Sequence, residues 1–139
     1  MLRDGGRFAT VTYSTAATNG FFSLPVSIIR ERAKLPAPAP GQPGPFSLAD
    51  PEILEQDLTR AGFHDIAIDV IDAPVILPSA ADCVRFERES FRALRQMLGA
   101  MSAEAQASVW DEIEAALSQF DTPDGFVGPC ELVIAGATR

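Results

Sequence analysis

Residues 36–45 read Pro-Ala-Pro-Ala-Pro-Gly-Gln-Pro-Gly-Pro, and no other stretch limits the fold as strongly. Five of the chain's 11 prolines fall there. A proline has no amide donor and steers the residue before it away from the helical region. No helix and no central strand can therefore pass through these ten positions. The stretch is predicted to be extended and polyproline-like, a lid or a linker. It belongs to a longer connection, residues 15–49, whose first part is small and apolar with a short helix predicted around 25–33. Connections of this length in compact domains usually carry function or motion.

At 139 residues the chain is predicted to be one domain, 1–139, long enough to bury a core. An apolar share of 47% and a charged share of 22% are those of a globular protein. With 19 acidic against 11 basic residues, the net charge is −8 and the isoelectric point about 4.5. Binding a nucleic-acid backbone needs clustered cations that release counterions, so no nucleic-acid partner is expected. No basic stretch leads into an apolar run at the N-terminus, and no run approaches the ~20 apolar residues of a membrane span. No membrane partner is expected, and the cytoplasm is the expected compartment. Cys83 and Cys130 lack metal-ligand or redox spacing and read as reduced, partly buried thiols.

Hydropathy patterning predicts three strands. Residues 7–14 (RFATVTYS) alternate, with Phe8, Thr10, Thr12 and Ser14 on one face and Ala9, Val11 and Tyr13 on the other. Residues 66–77 are predicted as a second strand, and 131–137 as a third whose nearly continuous apolar run suits burial on both faces. Asp50-Pro51 sets a helix start with Asp as N-cap, Ile53, Leu54, Leu58 and Ala61 form its stripe, and Gly62 ends it. Ser79 with Asp82 resembles a capping box opening a helix with Val84, Phe91, Leu94, Leu98 and Met101 on one face. Ser102 restarts a helix with Val109, Ile113, Leu117 and Phe120 inward, and residues 122–128 are predicted as a turn.

Three phrases give this order of elements a family context. Leu2-Arg3-Asp4-Gly5-Gly6-Arg7 leads into the first strand. Phe46-Ser47-Leu48 and then Asp50-Pro51-Glu52 open the helix that Ala61-Gly62-Phe63 closes. With a helical insertion and an apolar final strand following, the chain resembles the C-terminal half of a class I S-adenosylmethionine-dependent methyltransferase of the small-molecule type. One position departs from the family's phrase, where Asp4 stands in place of the usual proline. The resemblance implies an α/β fold, a partial Rossmann-like methyltransferase fold with a three-stranded mixed sheet ordered first, third, second. It makes 15–49 a substrate lid and 79–121 a helical insertion. It further implies that the half holding the methyl donor precedes Met1, which would then be an internal start. The family's acidic-x-Gly-x-Gly turn has no counterpart here, since Asp4-Gly5-Gly6 precedes its strand and Gly41 and Gly44 lie among prolines. S-adenosylmethionine is thus the cofactor of the intact family domain, none is expected to bind this chain alone, and no cofactor-binding residue is assigned.

Strand C-terminal ends face the ligand crevice in open α/β sheets, which makes Tyr13 and Ser14 substrate-binding candidates. The plainer reading of Tyr13 is a packed strand-end ring with its hydroxyl in water. Phe21, Phe22 and Phe46 flank the proline-rich stretch. The resemblance makes them lid residues that touch substrate, while ordinary packing accounts for them equally well. His64, the single histidine, reads as a helix-terminus residue. Asp65, Asp69 and Asp72 are split by strand alternation and read as solvated, so no metal site is expected. Arg85, Arg88, Arg92 and Arg95 share a helical face near Glu87 and Glu89, either a grip for a carboxylate-bearing partner or, more plainly, a solvated charge run. No catalytic residue is assigned.

The functional expectation is the substrate-side portion of an S-adenosylmethionine-dependent methyltransferase acting on a small-molecule acceptor, inactive as this chain alone. Strand 7–14 would leave an open edge, so it is expected to pair with the missing N-terminal half or with a second copy, giving a homo-oligomer. The alternative is a stand-alone, non-catalytic dimeric interaction module derived from that fold. A small enzyme on an unrelated α+β fold is the third possibility.

Overall fold

The computed structural model describes residues 2–39 and 42–139. The Met1 start and the Pro40-Gly41 step of the proline-rich stretch lie outside the described residues. In chain order the elements are β1 (Arg7–Tyr13), α1 (Gly20–Arg32), α2 (Pro51–Arg60), β2 (His64–Asp72), β3 (Val75–Leu77), α3 (Ala80–Ser90), α4 (Arg92–Met97) and α5 (Ala103–Leu117). A 3-10 turn (Ser118–Phe120), β4 (Asp121–Thr122), β5 (Gly125–Gly128) and β6 (Glu131–Thr138) complete the chain. The described residues form an α/β protein with five helices and two small three-stranded sheets. It divides into two compact units.

The first unit takes in the described residues of Met1–Asn19, Gly41–Ala73 and Cys130–Arg139. Its sheet is ordered β1-β6-β2, so the last strand of the chain lies in the middle. Both pairings are antiparallel, with Val11 opposite Ile134 and Ile134 opposite Asp69. The expected mixed sheet is corrected here: β6 occupies the inner edge of both β1 and β2, so no parallel pair forms. Helix α2 covers one face. Leu54 and Leu58 pack on Val133 and Ala135, flanked by Phe8, Phe63, Ile66 and Ile68. Asp50 caps α2 through its carboxylate, which accepts from the Glu52 and Ile53 amides, and Pro51 fills the first helical position. Gly62 ends the helix at φ +84°, which a side chain would strain. The C-terminal Arg139 holds this corner, donating to the Ala61 carbonyl and lying 5.8 Å over the Phe63 ring, while its backbone bonds to Gly5 and Gly6.

The second strand departs from the predicted 66–77 run. β2 spans His64–Asp72 and stops because Pro74 cannot donate, while the Ala73 amide turns to the Cys130 carbonyl. Val75–Leu77 becomes β3 of a separate sheet.

The second unit comprises the described residues of Gly20–Pro40 and Pro74–Pro129. Its sheet is β3-β5-β4, again antiparallel, formed from residues that the sequence pattern assigns partly to a strand and partly to a turn. Gly125, at φ +124° with no room for a side chain against the Leu77 carbonyl, begins β5. Thr122 donates its hydroxyl to the Gly125 carbonyl across the turn. Helix α1 begins at Gly20, well before the predicted residue 25, and carries Pro25 inside it. Phe21, Phe22, Pro25 and Ile29 are its buried stripe, so packing overrides the proline, and the Phe21 amide is satisfied by the Pro129 carbonyl. The helix after Ser79 breaks at Phe91 into α3 and α4, where φ −98° and ψ 85° are not helical. Leu94 and Leu98, with Val109, Trp110, Ile113 and Leu117 of α5, are buried in this unit. Among the described residues no helix is long and apolar enough to cross a membrane.

Candidate functional site

The C-terminal end of β1 gathers the unit's buried polar side chains. Ser14 is 2% exposed and Asn19 fully buried. The Ser14 hydroxyl donates to the Glu131 carboxylate (2.6 Å) and lies 2.7 Å from the Thr18 hydroxyl. The Asn19 amide nitrogen donates to the Thr15 carbonyl (2.8 Å) and to the Ser14 hydroxyl (3.2 Å), and its oxygen accepts from the Glu131 amide (3.1 Å). Backbone pairing continues one step past β1, from the Ser14 amide to the Glu131 carbonyl (3.0 Å). Each group here has a partner, which is what permits burial. The network fixes where the chain leaves β1 and where it enters β6.

Tyr13 and Ser14 are consecutive along extended backbone and so point to opposite faces of the sheet. Ser14 lies on the α2 side with Thr12 and Glu131. Tyr13 lies on the other side, in register with Leu132 and Ile71. Its half-buried ring packs against Phe46 at 6.2 Å between centroids. The turn carrying Phe46 is tied to β1 by a bond from the Thr12 hydroxyl to the Leu48 carbonyl (3.5 Å). Tyr13 and Phe46 thus form an aromatic wall at the strand end. Ser14 serves the clamp.

Phe21 and Phe22 belong to the other unit and are 2% and 5% exposed. Their rings lie 6.0 Å apart, and Phe22 meets Phe91 at 4.8 Å with the rings tilted. Phe91 in turn meets Phe86 edge-on at 5.7 Å, and Phe86 is exposed. These are core rings of the helical unit, with Phe86 at their outer margin.

The remaining candidates fall as follows. His64 is exposed at the start of β2, its Nδ1 3.0 Å from the Asp65 carboxylate. Among the described residues no three His, Cys, Asp or Glu side chains converge as metal ligands. The four arginines do not form one ridge, because the break at Phe91 separates Arg85 and Arg88 from Arg92 and Arg95. Arg85 pairs with Asp82 (2.5 Å), Arg88 lies 5.6 Å over Trp110, and Arg95 donates to the Arg88 and Glu89 carbonyls. Both cysteines are free and buried, and burial pushes both thiols up, Cys83 to about 12.

Two residues of consequence are not among the site candidates that the sequence offers. Glu131 is the one charged residue of an otherwise apolar strand, a signal that was legible. Glu87, grouped with a solvated charge run, is fully buried with both carboxylate oxygens unpartnered. Its signal was its spacing, one turn beyond Cys83 on the apolar stripe. Burial pushes its carboxyl up to about 9.

No protein-family model matches the chain, and no curated protein matches it.

Proposed function

We propose that this chain is the substrate-side portion of an S-adenosylmethionine-dependent methyltransferase acting on a small molecule. The observation that carries the reading is the arrangement of the first unit. β1 leads through α2 to β2, and the chain's last strand lies antiparallel between them, behind the Gly5-Gly6 turn. That agrees with the order of elements in the family's C-terminal half, a partial Rossmann-like fold. Tyr13 and Phe46 would then wall the acceptor pocket, and the cytoplasm would be the compartment.

The methyl donor itself does not fit the residues present. Among the described residues the glycines at positive φ are Gly5, Gly62 and Gly125. Gly5 precedes β1, Gly62 follows a helix and Gly125 opens a strand, so none forms a strand-to-helix turn that could bring backbone amides onto the donor. The role left to this chain is to orient the acceptor and keep water from it. The test is the genomic sequence upstream of the Met1 codon. A continuous frame encoding a strand followed by an acidic-x-Gly-x-Gly turn, whose full product transfers a labelled methyl group, supports the proposal. A stop codon followed by the chain's own translation start overturns it.

A second reading, the dimeric interaction module, is favoured by the sheet face away from α2. Val11 there is 59% exposed and Ile71 41%. Among the described residues β6 is the sole strand partner of β1. Under this reading the chain sediments as a dimer, and Val11→Lys gives a folded monomer.

A further inference from the structure

Glu87 lies in the last turn of α3, one turn beyond the buried Cys83 and four residues before the break at Phe91. It is fully buried, and neither oxygen has a hydrogen-bond partner. An ionised carboxylate in such a place is prohibitively costly unless paired, so the group resides there as the neutral acid. The elements packed against α3 are α4, α5 and β3. β3 carries no titratable group. On α4, Arg92 and Arg95 are exposed, and on α5 Glu104, Asp111, Glu112 and Glu114 are exposed. On α3 itself Asp82 is half-buried and engaged with Ser79 and Arg85, while Arg85, Arg88 and Glu89 face solvent. Cys83 is the one titratable group buried beside Glu87, and it is a thiol at any ordinary pH. Among the described residues no cation pairs with the carboxyl.

The break next to it is weakly held. Phe91 begins α4 with no side-chain cap, and its amide bonds back to the Glu87 carbonyl. The last α3 carbonyls, of Arg88 and Glu89, are covered by the exposed Arg95 guanidinium. An ionised carboxylate at this helix end also opposes the helix dipole. Outside the core, by contrast, water can hydrate the charge.

We propose that Glu87 is a proton-operated latch. Its neutral form holds the last turn of α3 in the core of the helical unit, and its ionisation releases that turn at the Phe91 break. On release the carboxyl gives its proton to solvent, the Arg95 cover over the Arg88 and Glu89 carbonyls is lost, and the half-buried Phe91 becomes accessible. This is the one place in the unit where a polar group is buried without a partner among the described residues. It stands whether or not the chain is part of a methyltransferase.

The test is amide hydrogen exchange between pH 6 and pH 9 on the intact chain, with Glu87→Gln and Glu87→Met beside it. The intrinsic exchange rate is divided out. In the native chain, protection of Ala80–Ser90 is then expected to fall about tenfold per pH unit, because each opening releases one proton. Protection of the α5 amides stays above that of α3 at every pH, because α5 exchanges only when the whole unit unfolds, a larger opening that releases the same proton. Both variants lose the pH dependence in α3. Met fills the site without a polar group, so the comparison survives if Gln folds poorly. Constant α3 protection in the native chain overturns the latch. So does α3 protection no lower than that of α5, which would be unfolding of the whole unit, or a fall that persists in both variants.

Discussion

At the scale of single residues, the fully buried Asn19 and Glu87 behave in opposite ways because one is satisfied and the other is not. Asn19 uses both ends of its amide, donating to the Thr15 carbonyl and accepting from the Glu131 amide. Replacing it by alanine leaves the part-buried Glu131 amide and Thr15 carbonyl without this partner, an expected loss of about 1–3 kcal/mol in urea unfolding. Glu87 has no partner to lose. Glu87→Leu is expected to raise stability at pH 8 and to lower it little or not at all at pH 5. The sign follows from linkage. The folded-state carboxyl is raised to about 9 from 4.5, so the folded protein binds more protons than the unfolded one between those values. The native chain is therefore most stable below pH 4.5 on this account and loses about 1.4 kcal/mol per pH unit as pH rises toward 9. The leucine variant would lack that slope, and unfolding midpoints at several pH values read it directly. Charge runs read as solvated faces from sequence because most are. Position 87 is turned inward because it falls one turn beyond Cys83 on the buried stripe of α3, and Glu89 falls off that stripe.

At the scale of elements, legibility tracked how local the determining forces are. Helix α2 was readable to within a residue because Asp50, Pro51 and Gly62 act on the backbone next to them. The same locality makes a prediction. Asp50→Ala removes the acceptor for the Glu52 and Ile53 amides and should cost about 0.5–2 kcal/mol, whereas Asp50→Ser should restore most of it. Leu58→Ala, which empties a buried position between α2 and the sheet, should cost about 2–5 kcal/mol by the same measurement. The elements misread were those decided from afar. Helix α1 runs through Pro25 because Phe21, Phe22 and Ile29 bury their side chains together, a gain that outweighs one missing amide bond. The strand predicted over 66–77 divides because the Ala73 amide is claimed by Cys130, far along the chain, and Pro74 ends the ladder. Tyr13 and Ser14 were placed correctly at a strand end. Their opposite directions followed from alternation, and it took Phe46 and Glu131 to show what each side chain meets.

At the scale of the whole molecule, charge and exposed apolar surface pull in opposite directions. A net charge of −8 keeps copies apart at neutral pH. Val11 and Ile71, exposed on one sheet face, and the exposed pair Ile76 and Val127, opposite each other in β3 and β5, favour association. As pH falls toward the isoelectric point near 4.5, repulsion vanishes while the apolar surface is unchanged. Light scattering across pH 7 to 4 should rise sharply near that point and be suppressed by added salt only weakly, since the residual attraction is not coulombic. Val11→Lys should reduce the scattering more than Ile76→Lys if the β1-β6-β2 sheet is the surface that associates. The reverse ranking would assign association to the small β3-β5-β4 sheet instead. Each substitution adds the same single charge, so a difference between them reports which apolar surface is being covered rather than a change in net charge.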